Sequence, residues 1–519
     1  MELERRILHK NKEIGRAFSQ ITLDDDYNLP DFKPDLTKVI REKGEIHFDE
    51  VHVNNGHVWF KGMLAFDILY RTDLDGKKIN SLRGEVPFQE SLVIEGAKEL
   101  DPVKMEGKIE DISVSVINSR KLGIRSLVEF SASVEKPEEA AVLVGVKEQS
   151  GCEIETEQME VLEMVTDKKD TMRIRKEIAL SSNKPNMDEI LWHSAELRGI
   201  GSHMRNGEIE VTGEALICVL YSGAEEDDRL QWFETTVPIK GGLECNTCEE
   251  SQIYRISASL AQTGMEIQPD EDGEERNILL EMVVNFSICL WKEENIEMIS
   301  DIYALDRQVT PKFEDACFDK LLVKNDAKCR IAEKIEIDEA QEDILQICVN
   351  EEKLEIEQTS VTEEGVLAEG VLTVEILYMT NDESMPISSV RAFLPFSQTI
   401  EMPKTDGPVK IQLDGGMDQV TTVLSDSRTI DIKAVISLNL LAFEQQKRQM
   451  ITEIEEAGLD LDALQQSPGI VGYIAREGDR LFGIAKENHT TIENLMETNH
   501  LTGMFVKPGE KLLIIKTVG

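Results

Sequence analysis

The chain contains no long apolar run. Nowhere in its 519 residues do the roughly 18 consecutive apolar residues of a membrane helix occur. The N-terminal stretch, Met1 to Phe18, is charged throughout and lacks the apolar core of a signal peptide, so the chain is expected to stay in the cytoplasm. Basic charge is also in short supply. Lys and Arg total 56 against 100 Asp and Glu, a formal charge of −44. Nucleic acid is therefore excluded as an expected partner, because binding phosphates requires a basic surface. An acidic surface of this kind keeps a soluble protein from self-associating.

Chemistry-bearing clusters are missing too. The eight Cys (152, 218, 245, 248, 289, 317, 329 and 348) are scattered, and the lone Cys245-x-x-Cys248 lacks the two further ligands of a zinc site. They read as structural or incidental thiols, with Cys218 and Cys289 as small core residues. The eight His form no His-Glu-x-x-His pair, and no Ser or Cys stands in a nucleophile motif. The acidic stretch Asp24 to Asp35 has neither the alternating acids nor the central Gly of a calcium loop. No catalytic residue, metal or cofactor is expected, which disfavours an enzyme such as a wall hydrolase.

What the chain does contain is one stretch written three times. His57 to Tyr70 returns in a segment ending at Tyr221 and again in one ending at Tyr378. Each Tyr is preceded by a Gly at eight residues (Gly62, Gly213, Gly370) and followed by a Pro at seventeen (Pro87, Pro238, Pro395). Lys33-Pro34-Asp35 and Lys184-Pro185-Asn186 end twenty-seven residues before their Gly, where the third copy has Asp343 without the Lys-Pro. Spacings held this closely identify an internal repeat of about 150 residues.

Every second residue of the stretch is apolar: Val58, Phe60, Leu64, Phe66, Ile68 and Tyr70 in the first copy. That period marks a strand buried on one face. The opposite face is polar at first and turns apolar at Leu69, Leu220 and Leu377, so the far half of the strand should be covered on both sides. The Gly suits a bulge or a close backbone approach, and the Pro a strand end or edge. Turn signals follow the Tyr at Asp75-Gly76, Ser222-Gly223 and Asn381-Asp382. The entry stretch Leu29 to Asp35 reads as a packed loop held extended by its prolines.

The expected fold is thus multidomain and mainly β. Three repeated antiparallel, sandwich-like domains (1–135, 150–292 and 320–443) precede a small β-α-α-β module at 468–519. Between them, Glu444 to about 467 is polar and helix-prone and reads as a spacer. The last module balances six basic against six acidic residues, so the negative charge lies in the repeats and linkers. Its pattern gives a strand at Gly472–Arg476, helices at Leu481–Glu487 and Thr491–Thr498 with Thr490 or Thr491 as N-cap, and a strand at Lys511–Lys516.

Two resemblances rest on these residues. Tyr473 to Ile515 resembles a LysM module through Gly478-Asp479, Leu481, Ile484-Ala485-Lys486, Thr491, Leu495, Asn499, Leu501, Pro508-Gly509 and Leu512. It departs from that family at Met504-Phe505-Val506, where a Pro usually precedes Ile or Val. LysM modules bind N-acetylglucosamine polymers in a groove between two loops. The resemblance places that groove at Gly478, Asp479, Arg480, Leu481 and Phe482, facing Asn499, His500, Leu501, Met504 and Phe505.

The repeats, with their acidic Leu29 to Asp35 entry, resemble the SPOCS domain of spore-forming bacteria. Three such repeats before a LysM resemble the SipL/SpoVID-like family of spore coat morphogenetic proteins. That resemblance implies a non-enzymatic scaffold in the mother cell, assembling at the forespore surface. Its implied partners are other coat proteins and a coat basement-layer ATPase of the SpoIVA type, engaged by the LysM. The alternative is a phage-tail-like or wall-associated structural protein whose LysM binds N-acetylglucosamine glycan of peptidoglycan.

Overall fold

The structure, a computed structural model, describes residues 2–73, 78–147, 151–205, 207–224, 230–338, 341–382, 384–460, 466, 468–503 and 505–517. The turn expected at Asp75-Gly76 lies outside these. The first repeat comprises β1 (Glu2–Asn28), β2 (Leu36–Asn54), β3 (His57–Thr72), β4 (Ile79–Val93), β5 (Val103–Asn118) and β6 (Lys121–Lys147). The second comprises β7 (Cys152–Ala179), β8 (Met187–Arg205), β9 (Glu208–Gly223), β10 (Gln231–Glu244), β11 (Ile253–Pro269) and β12 (Glu275–Ala304). The third comprises β13 (Gln308–Glu336), β14 (Ile344–Val361), β15 (Gly365–Thr380), β16 (Ile387–Glu401), β17 (Val409–Asp426) and β18 (Thr429–Ala457).

Each repeat is a sandwich of two antiparallel three-stranded sheets, ordered β2-β3-β4 and β1-β6-β5 in the first and likewise in the others. The triplicated stretch forms the middle strand of the first sheet (β3, β9, β15). Its alternating residues Leu64, Phe66, Ile68 and Tyr70 are buried against the second sheet. The repeated Gly has a steric cause. A Cβ at Gly62 would collide with the His47 carbonyl and one at Gly370 with the Glu355 carbonyl, next to bulges in β2 and β14. The repeated Pro lies on β4, β10 or β16, the outer strand, where its missing N–H costs no ladder bond.

The entry loop is held by a residue that the repeat spacing did not single out. Arg120 donates to the carbonyls of Leu29, Pro30 and Lys33 and to the Asp35 carboxylate. Arg276 grips Ser181, Lys184 and Asn186 in the same way, and Arg428 grips Asp338, Gln341 and Asp343. The repeated Tyr adds a second tie, since Tyr70 donates to the Pro34 carbonyl and Tyr221 to that of Pro185, both at 3.2 Å.

Three expectations are corrected. Glu444 onward is not a helical spacer, because β18 continues to Ala457. Few apolar residues are needed there: Met450 and Ile451 are buried while the polar neighbours alternate outward. Strand is dictated by pairing with β13 from Gln308 to Lys320. The segments read as linkers after the first and second repeats are likewise strand. Three two-stranded ribbons (β1/β6, β7/β12, β13/β18) run past the sandwiches and share a core of Leu8, Val142, Met159, Met298, Phe318 and Met450. The cysteine reading also changes, because Cys245 and Cys248 form a disulfide. Their turn has a counterpart in the first repeat. Cys245 and Cys248 clasp Gly207 through the same backbone bonds by which Ile94 and Ala97 clasp Gly56.

The three repeats close into a ring: β4 packs on β8, β10 on β14, and β16 on β2. Each contact uses the same pair of surfaces, so the ring is closed and heterologous, as in a cyclic trimer made from one chain. At its centre Leu69, Leu220 and Leu377, all fully buried, meet in one cluster with Trp192 and Val349. A charged layer lies beside them. Arg41 pairs with Glu351 at 2.7 Å and Glu375 at 3.0 Å and lies over the Trp192 ring, whose N–H donates to Glu351. Arg198 grips Glu352 at 2.9 and 3.0 Å, and the Glu352 amide donates to Glu196.

Candidate functional site

The C-terminal module is built of β19 (Ile470–Ile474), α1 (Leu481–Glu487), α2 (Ile492–Asn499) and β20 (Lys511–Ile515). The order matches the sequence pattern. Thr491 is the N-cap of α2, its hydroxyl accepting from the Asn494 amide at 3.0 Å. His500 ends α2 in the left-handed region at φ 54°. The core consists of Leu481, Ile484, Ala485, Leu495, Leu512 and Ile514.

The ten residues assigned to the groove divide by role. Asp479 faces inward to its own turn, its carboxylate accepting from the Arg476 amide at 2.7 Å and the Tyr473 hydroxyl at 2.9 Å. These two bonds hold its pKa below the usual carboxylate value. Gly478 supplies the positive φ of 89° that the same turn requires. Leu481 is fully buried in the core. Asn499 ties α2 to the outer edge of β20, its side-chain amide bonding both the N–H and the carbonyl of Leu513. Leu501 packs against the core from its loop. Met504 lies outside the described residues.

Arg480 and Phe505 meet in an isolated antiparallel bridge that joins the two loops. Phe505 is 82% exposed. Among the described residues of the expected groove, Gly478, Arg480, His500 and Phe505 are therefore exposed, while Asp479, Leu481 and Asn499 bond or pack within the module.

Phe482 has a separate fate. It is only 4% exposed, and part of its cover comes from outside the module: the ring of Tyr303, at the end of β12, meets it edge-on at 5.1 Å. The Tyr303 hydroxyl donates to the Thr490 carbonyl at 2.8 Å, and burial pushes the phenol pKa up. Lys486 donates to both oxygens of Asp301 at 2.6 and 2.7 Å, and Arg480 reaches Glu155 at 3.1 Å. The His489 side chain bonds to the Leu305 backbone, and burial lowers its pKa. A cavity of about 540 Å³ lies beside this junction, lined among others by Arg307, Val309, Lys486, His489 and Ile514. No spacing in the sequence pointed to Tyr303. It ends a charged stretch, and its partner lies 187 residues on.

Comparison with known families fits this geometry. A family model for the SipL SPOCS domain matches residues 35–117 and 343–425, and a LysM domain model matches 473–514. The two SPOCS matches span β2 to β5 of the first repeat and β14 to β17 of the third. The second repeat has the same sheet order between them. No curated protein and no solved structure matches the chain. SPOCS and LysM are binding and scaffold domains, the former sporulation-related and the latter a peptidoglycan-binding type of module. The chain has the SipL-like architecture of SPOCS repeats followed by a C-terminal LysM domain.

Proposed function

We propose that the chain is a non-enzymatic scaffold of spore coat assembly, working in the mother cell and held at the forespore surface by its LysM. In this reading the LysM engages a basement-layer ATPase of the SpoIVA type, and the repeats recruit other coat proteins. The observation that carries it is the division of labour: one closed ring of three SPOCS-type repeats with a single LysM seated at the end of one ribbon. The groove proposed for the partner is the exposed part of the two loops, Gly478, Arg480, His500 and Phe505. A second reading is favoured by Phe505 itself. An exposed aromatic beside a groove is a natural platform for a sugar ring, and it supports a peptidoglycan-binding structural role.

Affinity capture from sporulating cells separates the two. The full chain and a truncation ending near Gln466 serve as baits, and mass spectrometry identifies what each retains. A coat ATPase recovered by the full chain alone supports the scaffold. Muropeptides retained by the full chain, with no coat protein on either bait, overturn it in favour of the glycan reading.

A further inference from the structure

The LysM is seated on one repeat out of three, and the seat is written into that repeat. The three ribbons are equivalent in register: Tyr303 stands opposite Glu153, just as Lys147 stands opposite Glu2 and Glu455 opposite Thr310. Lys147 and Glu455 are exposed, whereas Tyr303 is 5% exposed. The residue equivalent to Asp301 is Gly145 in the first ribbon and Glu453 in the third. Neither of those ribbons offers both an aromatic ring and a carboxylate to the module.

The contact covers one side of the module rather than a single point. Phe482, Lys486 and Thr490 lie along and just beyond α1, and all three engage the end of β12. The Thr490 carbonyl and the Tyr303 hydroxyl are buried and satisfy each other across the junction, so separating the two parts exposes an apolar pair and breaks a buried hydrogen bond together. Arg480 extends the contact to β7 through Glu155, which brings one groove loop to the ribbon end.

We propose that Tyr303 is a positioning residue that seats the LysM on the second repeat in one orientation, so that a partner meets the module and the ribbon end as a single surface bearing Arg480, Glu155 and Phe505. Phe482 then belongs to the seat and not to the ligand groove. The positioning role rests on the LysM having a protein partner; the seating itself does not.

The test uses the full chain with Tyr303→Ala, Tyr303→Phe and Asp301→Asn. Amide hydrogen exchange of α1 reports the seat. Tyr303→Ala should raise exchange across Phe482 to Thr490 by about tenfold, with β3, β9 and β15 unchanged as evidence that the repeats remain folded. Tyr303→Phe keeps the ring contact but leaves the buried Thr490 carbonyl unpaired, so it should fall between the parent and Tyr303→Ala, as should Asp301→Asn. Equal α1 exchange in the parent and Tyr303→Ala overturns the seat. Capture of the coat ATPase then reads positioning: it should fall about tenfold for Tyr303→Ala and less for Tyr303→Phe, which keeps the ring contact. Undiminished capture by an unseated Tyr303→Ala overturns the positioning role. Failure of the parent chain to capture any coat ATPase overturns the scaffold reading instead, and the exchange result still decides the seat.

Discussion

Arg41 of the first repeat and Glu351 of the third lie 310 residues apart in sequence and 2.7 Å apart in space, both at the centre of the ring. Trp192 of the second repeat completes the contact by stacking under the guanidinium and donating to the same carboxylate. One residue from each repeat is therefore needed, and none of the three is repeated: the positions equivalent to Arg41 hold Trp192 and Val349, each opposite the repeated Leu. Arg41→Ala should destabilise the chain by about 3–5 kcal/mol, because it strands a buried carboxylate. Urea unfolding of the full chain measures this. A loss below 1 kcal/mol would show that the layer does not hold the ring together.

The charged layer also sets a pH response. Burial raises the pKa of Glu351, but Arg41, Lys43 and the Trp192 N–H outweigh it and the net shift is downward. A depressed carboxylate contributes stability above its unfolded value of 4.5 that is lost as pH falls through the folded value. Glu196 is the reverse case, raised by burial and by Glu352. Its penalty is absent at low pH and grows as pH rises from 4.5 through its folded value. Glu196→Gln, which keeps an acceptor for the Glu352 amide, should therefore raise the melting temperature at pH 7 by about 2–4 °C. The gain should vanish near pH 4. Melts of the parent and Glu196→Gln from pH 7 down to about pH 3 check both signs.

The Arg clasp makes a graded prediction within one molecule. Arg120→Ala removes three carbonyl bonds and a carboxylate contact from the first entry loop and should cost about 2–3 kcal/mol. Tyr70→Phe and Tyr221→Phe each lose one bond to a proline carbonyl, about 1 kcal/mol. Tyr378→Phe, in the copy without the Lys-Pro, should cost less, since Tyr378 makes no such bond. Chemical denaturation of the four variants gives the order, and equal losses for all three Tyr would refute it.

Cys245 and Cys248 occupy the turn that Ile94 and Ala97 occupy in the first repeat, each pair buried in the core of its sandwich. If packing is their main contribution, Cys245→Ile with Cys248→Ala should fold and lose no more than about 1–1.5 kcal/mol. Unfolding with and without reductant separates this from a stabilising crosslink, which would give the parent an added gain of about 2–4 kcal/mol when oxidised.

Much of this architecture is legible in the residues. The period of two in β3, β9 and β15 marks the buried face, and the switch to apolar on the other face at Leu69, Leu220 and Leu377 announces a second cover. The LysM elements follow from their caps and spacing, and Thr491 does cap α2. The groove was less legible. The LysM resemblance placed Asp479 and Asn499 there, and no spacing shows that their side chains bond to backbone within the module.

The sequence by itself determines three β repeats and a β-α-α-β module, because periodicity, turns and caps are local and each repeat confirms the others. It does not say that the second cover of each middle strand is the next repeat, nor that Glu444 to Ala457 is strand. It gives no sign that Phe482 is buried by Tyr303. Those outcomes depend on residues tens to hundreds of positions apart. Strand pairing supplies hydrogen bonds that override a helix-prone composition, and burial across an interface leaves no period in either segment that makes it.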